Sequence, residues 1–273
     1  MSYKTIEHSF LGKKTTYVDQ YDSTLLYPIM RIPQAYLMYG YDLWNLYEIS
    51  WLNLHNKPEV AIGKLAYSYS SLYLIESKSL KLYLNSFNNS QFSSASHVQD
   101  TIKNDLSTVL NTDVFIELYD INSSVKIIPP QGKCLDDIHI EVKNFNFNDR
   151  MHSLVNIIEN HTIVTEKLYS NLLRSNCPIT QQPDWGTITV EYTGKQISHQ
   201  SLLHYILCYR NHNDFHEHCI ENIYCELMQY LCPTELNIYA NYTRRGGIDI
   251  NPYRSSEKLN MQSILTQNRL IRQ

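Results

Sequence analysis

Apolar positions along the chain recur with two spacings, one of two residues and one of three to four. Val60–Tyr69 alternates and is partly β-branched, and Ser71–Ile75 continues it, so both are predicted strands. Ser79–Phe87 places Leu80, Tyr83, Leu84 and Phe87 at i, i+3, i+4 and i+7, the spacing of one helix face. Ser96–Leu110 does the same with Val98, Ile102, Leu106 and Leu110, and Asp113–Tyr119 returns to a strand pattern. Residues 1–58 are polar and aromatic with few periodic runs. They are expected to form an extended arm and loops around a short strand near Tyr47–Asn53.

Pro129-Pro130-Gln131-Gly132 is the strongest linker signal. Beyond it, Asp137–Val142 reads as a strand, His161–Leu173 as partly extended, and Trp185–Tyr192 as a cleanly alternating strand. Ser198–Tyr209 and Asp214–Leu231 are predicted amphipathic helices. Glu235–Thr243 and Gly247–Asn251 are predicted strands. Each half therefore runs strand–strand–helix–helix–strand. That order predicts an α+β protein of two related modules, 1–130 and 131–273, with antiparallel sheets rather than βαβ units.

Composition narrows the function classes. Over 273 residues, 43% are hydrophobic, enough for a buried core, and 18% are charged, below the roughly 25% of an average soluble chain. A net charge of −4 argues against nucleic-acid binding through a bulk basic field. The eight glycines form neither G-x-G-x-x-G nor G-x-x-x-x-G-K, which removes a standard dinucleotide fingerprint and a P-loop. The first residues, MSYKTIEHSFLGKK, hold no apolar h-region, no stretch approaches the ~20 apolar residues of a membrane span, and the six cysteines include no C-x-x-C. A cytoplasmic protein with reduced thiols, away from membranes, is the expectation.

Four segments carry candidate chemistry. In Ser175-Asn176-Cys177-Pro178, with Asp184 seven positions after the cysteine, Pro178 and Pro183 stiffen the stretch between thiol and acid. These residues suit a nucleophile with a general acid, and equally a small buried thiol. In Glu76-Ser77-Lys78-Ser79-Leu80-Lys81, Ser77 or Ser79 can cap a helix, Glu76 can accept paired N–H donors, and Lys78 and Lys81 can meet phosphate; a plain capped helix start is the alternative. Asp214-Phe215-His216-Glu217-His218 opens a helix. His216 and His218 point in different directions, which disfavours a zinc pair, whereas Phe215, His216 and Glu217 suit a planar heterocycle or ordinary capping. Arg244-Arg245-Gly246-Gly247 sets guanidinium groups beside a backbone that a ligand can approach, or forms a solvated turn.

Taken in order, these segments resemble the NADPH-dependent 7-cyano-7-deazaguanine reductases of queuosine biosynthesis, in their long two-module form. The resemblance covers most of the chain. It implies two tandem tunnelling-fold modules, each an antiparallel sheet backed by two helices, and a homodimer. It implies that Cys177 attacks the nitrile of 7-cyano-7-deazaguanine to form a thioimide, that Asp184 transfers protons, and that His216 orients the ligand or supplies a proton. It further implies that Glu76, Ser77, Lys78, Phe215, His216 and Glu217 bind the substrate, and that Lys78, Ser79, Arg245 and Gly246 bind NADPH, two per turnover. No catalytic metal and no direct nucleic-acid contact are implied. Two other readings fit the same fold: a zinc-dependent pterin-type cyclohydrolase, which needs several Cys and His ligands, and a non-catalytic purine- or pterin-binding module, in which Cys177 is incidental.

Overall fold

The computed structural model describes residues 16–123, 126–142, 145–258 and 269–273. These fall into two compact units. The first comprises the described residues of 16–32 and 42–123 together with 244–249; the second comprises 33–41 and the described residues of 126–243 and 250–273.

In the first unit, strands β1 (Pro28–Met30), β2 (Tyr39–Leu52, from Asp42 onward), β3 (Pro58–Ser68) and β4 (Tyr73–Ile75) precede helices α1 (Ser77–Ser86) and α2 (Ala95–Leu110) and strand β5 (Val114–Tyr119). The sheet order is β5–β3–β2, with β3 and β5 antiparallel from Ile62↔Tyr119 to Tyr67↔Val114, while β1 and β4 form a separate antiparallel ribbon. The spacing seen in the sequence explains α2. Val98, Ile102, Leu106 and Leu110 are fully buried, Ser94 caps its first turn, and Asn111 ends it in the left-handed region at φ 50°.

In the second unit, strand β6 (Lys133–Cys134), helix α3 (Arg150–Val155), strands β7 (Ile158–Asn176) and β8 (Pro183–Ile197), helices α4 (His199–Leu207) and α5 (His216–Leu231), and strands β9 (Glu235–Tyr242) and β10 (Ile248–Ser255, from Ile250) follow in turn. The order is β10–β9–β8–β7–β6, antiparallel except for the two-residue pairing of β6 with β7. Buried Ile188, Val190 and Tyr192 of β8 and Leu236, Ile238 and Ala240 of β9 contribute to the core, as do Ile220, Ile223, Tyr224 and Leu227 of α5. An α+β chain with antiparallel sheets and two principal helices in each half is what the periodicity predicts.

Three local expectations are corrected. Asp137–Val142 is not a strand. The chain turns instead at Asp136, whose carboxylate takes the Ser170 hydroxyl at 2.6 Å and the Asn171 side chain at 2.8 Å, and short β6 pairs with β7 just before it. The strand expected near Tyr47–Asn53 is the end of a fourteen-residue strand, β2. Helix α1 is capped by Glu76 rather than by Ser77 or Ser79.

Candidate active site

The long hairpin of the second unit places two of the candidate residues, Cys177 and Asp184. Strand β7 runs to Asn176 and β8 begins at Pro183, with Asn176↔Pro183 and Ser175↔Asp184 opposed across the ladder. Cys177 is therefore the first residue past the end of β7, and Asp184 is the second residue of β8. The intervening loop is closed by Cys177 N–H donating to Gln182 O at 2.9 Å and Gln181 N–H donating to Cys177 O at 3.0 Å, with Gln181 at φ 56°. The two prolines bound this loop, as the sequence suggests. Cys177 is 8% exposed and Asp184 7%, so thiol and carboxyl are almost withdrawn from water.

The second reactive segment is tied to the same strand end. Asn176 N–H donates to His212 O at 2.8 Å, Asp214 N–H donates to Asn176 O at 3.1 Å, and the Asn176 side-chain amide donates to Asn213 Oδ1 at 3.1 Å. These bonds deliver the start of α5 to the strand that ends just before Cys177. His216 Nε2 then lies 3.5 Å from Asp184 Oδ2, with its ring against buried Tyr242, centroids 4.0 Å apart. Glu217 is 2% exposed in the first turn of α5, where the helix dipole favours a carboxylate. Phe215 caps that helix by backbone only and meets His218 edge-on at 5.6 Å.

Asp214, which the sequence offers only as the acid that opens this helix segment, is bonded on several sides. Asp214 Oδ1 accepts from Phe215 N–H at 2.8 Å and lies 3.2 Å from His218 Nδ1, while Oδ2 lies 3.5 Å from His212 Nε2. Burial alone would raise the Asp214 pKa, but the two imidazoles and the Phe215 N–H hold it well below the usual carboxylate range. Burial likewise would lower that of His218, yet the bond to Asp214 and the charges of Glu221, Asp214 and Glu217 hold it above its ordinary value. The guanidinium groups of Arg174 and Arg210 lie over the ring of Trp185, next to Asp184, at 5.3 and 5.2 Å. The only signal for Asp214 was an acid before a helix, which ordinary capping explains as well. Arg174 and Arg210 carried no signal.

The remaining sequence-predicted residues gather in the first unit. Glu76 is fully buried at the start of α1, its two carboxylate oxygens accepting Lys78 N–H at 2.7 Å and Ser79 N–H at 2.8 Å. Burial raises its pKa, opposed by those two bonds, the Lys78 charge and the Ser77 hydroxyl. The backbone fixes the plane of this carboxylate. Ser79 is also fully buried, its hydroxyl donating to Glu76 O at 2.7 Å and accepting from Tyr27 N–H at 3.1 Å. Its side chain thus braces the motif.

Arg245 and Ile248 exchange backbone bonds of 2.8 and 3.1 Å around Gly246 and Gly247, at φ 55° and 77°. Two successive positive φ values make this a tight turn in which both central residues favour glycine. A Cβ at Gly247 would meet Glu48 Cδ at 2.4 Å, whereas one at Gly246 would have nothing within 4 Å. Glu48 pairs with Lys81 of α1, so the Gly-Gly turn and the Glu76–Lys81 motif share one side chain. Arg244 lies over the Tyr47 ring at 4.1 Å. Among the described residues, no group of three or more His, Cys, Asp or Glu side chains is arranged to hold a metal ion, and no helix is long and apolar enough to cross a membrane.

Residues 17–118 match the family described as nitrile reductase, 7-cyano-7-deazaguanine-reductase N-term, and residues 183–261 match the family described as QueF-like protein. A relative from Coxiella burnetii (strain CbuK_Q154), the NADPH-dependent 7-cyano-7-deazaguanine reductase, is 44% identical over 261 residues, covering 92% of each chain. The chain belongs to the 7-cyano-7-deazaguanine reductase family. A solved structure, the archaeosine synthase QueF-Like in the apo form, aligns at 17% identity and a TM-score of 0.31, over 36% of this chain and 96% of that one. The two matched stretches of the reductase family hold Glu76–Lys81 in the first case and Asp184, Phe215–Glu217 and Arg244–Gly247 in the second; Cys177 lies six residues before the second begins.

Proposed function

We propose that this chain reduces the nitrile of 7-cyano-7-deazaguanine to the aminomethyl group of 7-aminomethyl-7-deazaguanine, at the expense of two NADPH, in queuosine biosynthesis. The observation that carries the reading is the convergence of Cys177, Asp184, His216 and Glu217 at one end of the β7–β8 hairpin in a family whose relative bears that activity in its name.

The Cys177 thiol gives its proton to Asp184 as its sulfur adds to the nitrile carbon, and Asp184 passes a proton to the nitrogen, giving a thioimide. NADPH, held by Lys78, Ser79, Arg245 and Gly246, would supply the hydride for both reductions. Across the two steps, two NADPH and two protons convert the nitrile to the primary amine. His216, 3.5 Å from Asp184, orients the reacting group and exchanges protons with that carboxyl. Burial of Cys177 keeps water from hydrolysing the imine-level intermediate.

Glu217 and Glu76 take the N–H donors of the deazaguanine, and Phe215 covers its ring. Ser77 supports Glu76 through its hydroxyl. A ligand lacking those donors would leave a buried carboxylate unmatched, which gives selectivity. The cofactor's expected partners fit a nucleotide phosphate. Gly246 presents a backbone with open space on its Cβ side, flanked by Arg245, and Lys78 sits in the first turn of α1. Ser79 serves by bracing that turn. We place the boundary of the two tunnelling-fold modules near residue 130 and infer a homodimer in the cytoplasm.

A spectrophotometric assay tests the function. Two NADPH are expected to be oxidised per 7-cyano-7-deazaguanine consumed, and none with 7-deazaguanine, which has no nitrile. Oxidation independent of the nitrile, or a folded and reduced protein that oxidises none, would overturn the reading.

A further inference from the structure

We propose that Asp214 is a positioning residue for this reaction, a clamp that fixes Phe215, His216 and Glu217 relative to Cys177. The proposal rests on the nitrile-reductase reading. Asp214 touches both halves of the site through different atoms. Its backbone N–H donates to the carbonyl of Asn176, the residue just before the nucleophile, at 3.1 Å. Its carboxylate accepts from Phe215 N–H at 2.8 Å and lies 3.2 Å from His218 Nδ1, spanning the first turn of α5 from its outside to its third residue. The other carboxylate oxygen faces His212 Nε2 at 3.5 Å, and His212 is itself fixed by parallel stacking on Phe147, with centroids 3.8 Å apart.

One residue therefore joins these parts: its backbone N–H holds the strand end that precedes Cys177, and its carboxylate holds His212 and the helix turn carrying His216 and Glu217. No side-chain cap of α5 duplicates it, because Phe215 has none to offer. His216 meets Asp184 at 3.5 Å, so a small rotation of the α5 start changes that contact directly. A misplacement of about 1 Å in a positioned catalytic group costs about a hundredfold in rate.

The test measures adduct formation from 7-cyano-7-deazaguanine in a single turnover without NADPH, the KM for NADPH in steady state, and the melting temperature, in wild type, D214A and D214N. D214N is isosteric and keeps an acceptor for Phe215 N–H but loses the charge facing the two imidazoles. Adduct formation is expected to slow about a hundredfold in D214A and about tenfold in D214N, with the KM for NADPH within about twofold of wild type. A purely structural role would lower the melting temperature and leave adduct formation by the folded protein unchanged, which overturns the proposal. If D214A does not fold, D214N decides: adduct formation by the folded protein at the wild-type rate overturns the proposal, and a tenfold loss at a temperature where D214N is folded supports it. If wild type itself forms no adduct, the nitrile-reductase reading fails and the clamp's catalytic role falls with it.

Discussion

At the residue scale, burial and pairing decide what each side chain can do. Asp214 and His218 hold each other charged. For Asp214 the folded pKa lies below the unfolded value of about 3.9. Its stabilising contribution is therefore full above that value and is lost as pH falls towards the folded pKa. For His218 the folded pKa lies above the unfolded value of about 6.5, so its contribution is full below that value and is lost as pH rises through the folded pKa. The pair thus stabilises most between about pH 4 and 6.5. H218Q is expected to lower the melting temperature most near pH 5–6 and progressively less towards pH 9. A deficit independent of pH over that range would contradict the pairing. The sequence places Glu217 in the first turn of a helix, and the structure has it there, buried. Asp214 was legible only as a cap, because its role depends on a carbonyl thirty-eight positions earlier.

At the element scale, turns and strand ends carry the chemistry. Both central glycines of the 245–248 turn have positive φ, so alanine at either is expected to cost about 1 kcal/mol in backbone strain. The surroundings separate the two. G247A adds a clash with Glu48 and displaces the partner of Lys81, whereas G246A adds none. Thermal unfolding is expected to show a clearly larger loss for G247A, while G246A raises the KM for NADPH about tenfold by covering the open backbone face. Equal melting losses would contradict the packing account, and an unchanged KM would remove Gly246 from the cofactor site.

Legibility at this scale followed burial. Helix α2 and strand β8 each bury a regular stripe, and their periodicity revealed them. Strand β7 runs nineteen residues, but its first half is largely exposed. Its extended form comes from pairing with β8, with register shifts between Ile158 and Ile163 and between Ser170 and Leu173, rather than from alternation. Asp137–Val142 shows the converse. Ile138, Ile140 and Val142 alternate well, yet the strand pairing in that region falls to Lys133–Cys134 and the carboxylate of Asp136 turns the chain.

At the scale of the whole molecule, the order of elements was readable but the assignment of segments to units was not. Residues 244–249 belong with the first unit: Asp249 takes the Asn45 amide and the Tyr47 hydroxyl, each at 2.6 Å, and Tyr47 N–H donates to Gly247 O at 2.9 Å. Local sequence carries no trace of contacts about two hundred residues apart. The consequence is that the Asn45 amide loses its Asp249 partner, and the Tyr47 N–H its Gly247 bond, if the chain stops at residue 130. A 1–130 fragment is expected to unfold without a cooperative transition; a sharp transition near that of the full chain would contradict this. Sedimentation equilibrium is expected to give twice the chain mass for the inferred homodimer, and a monomer at micromolar concentration would contradict it.

Covalent capture of the nitrile by Cys177 is read out by intact mass. Purified, reduced protein mixed with 7-cyano-7-deazaguanine in the absence of NADPH is expected to gain the mass of one ligand. That gain is expected to vanish in C177A and to discharge when NADPH is added. Folded protein with a reduced Cys177 that gains no mass, or a C177A variant that gains it undiminished, would contradict the account.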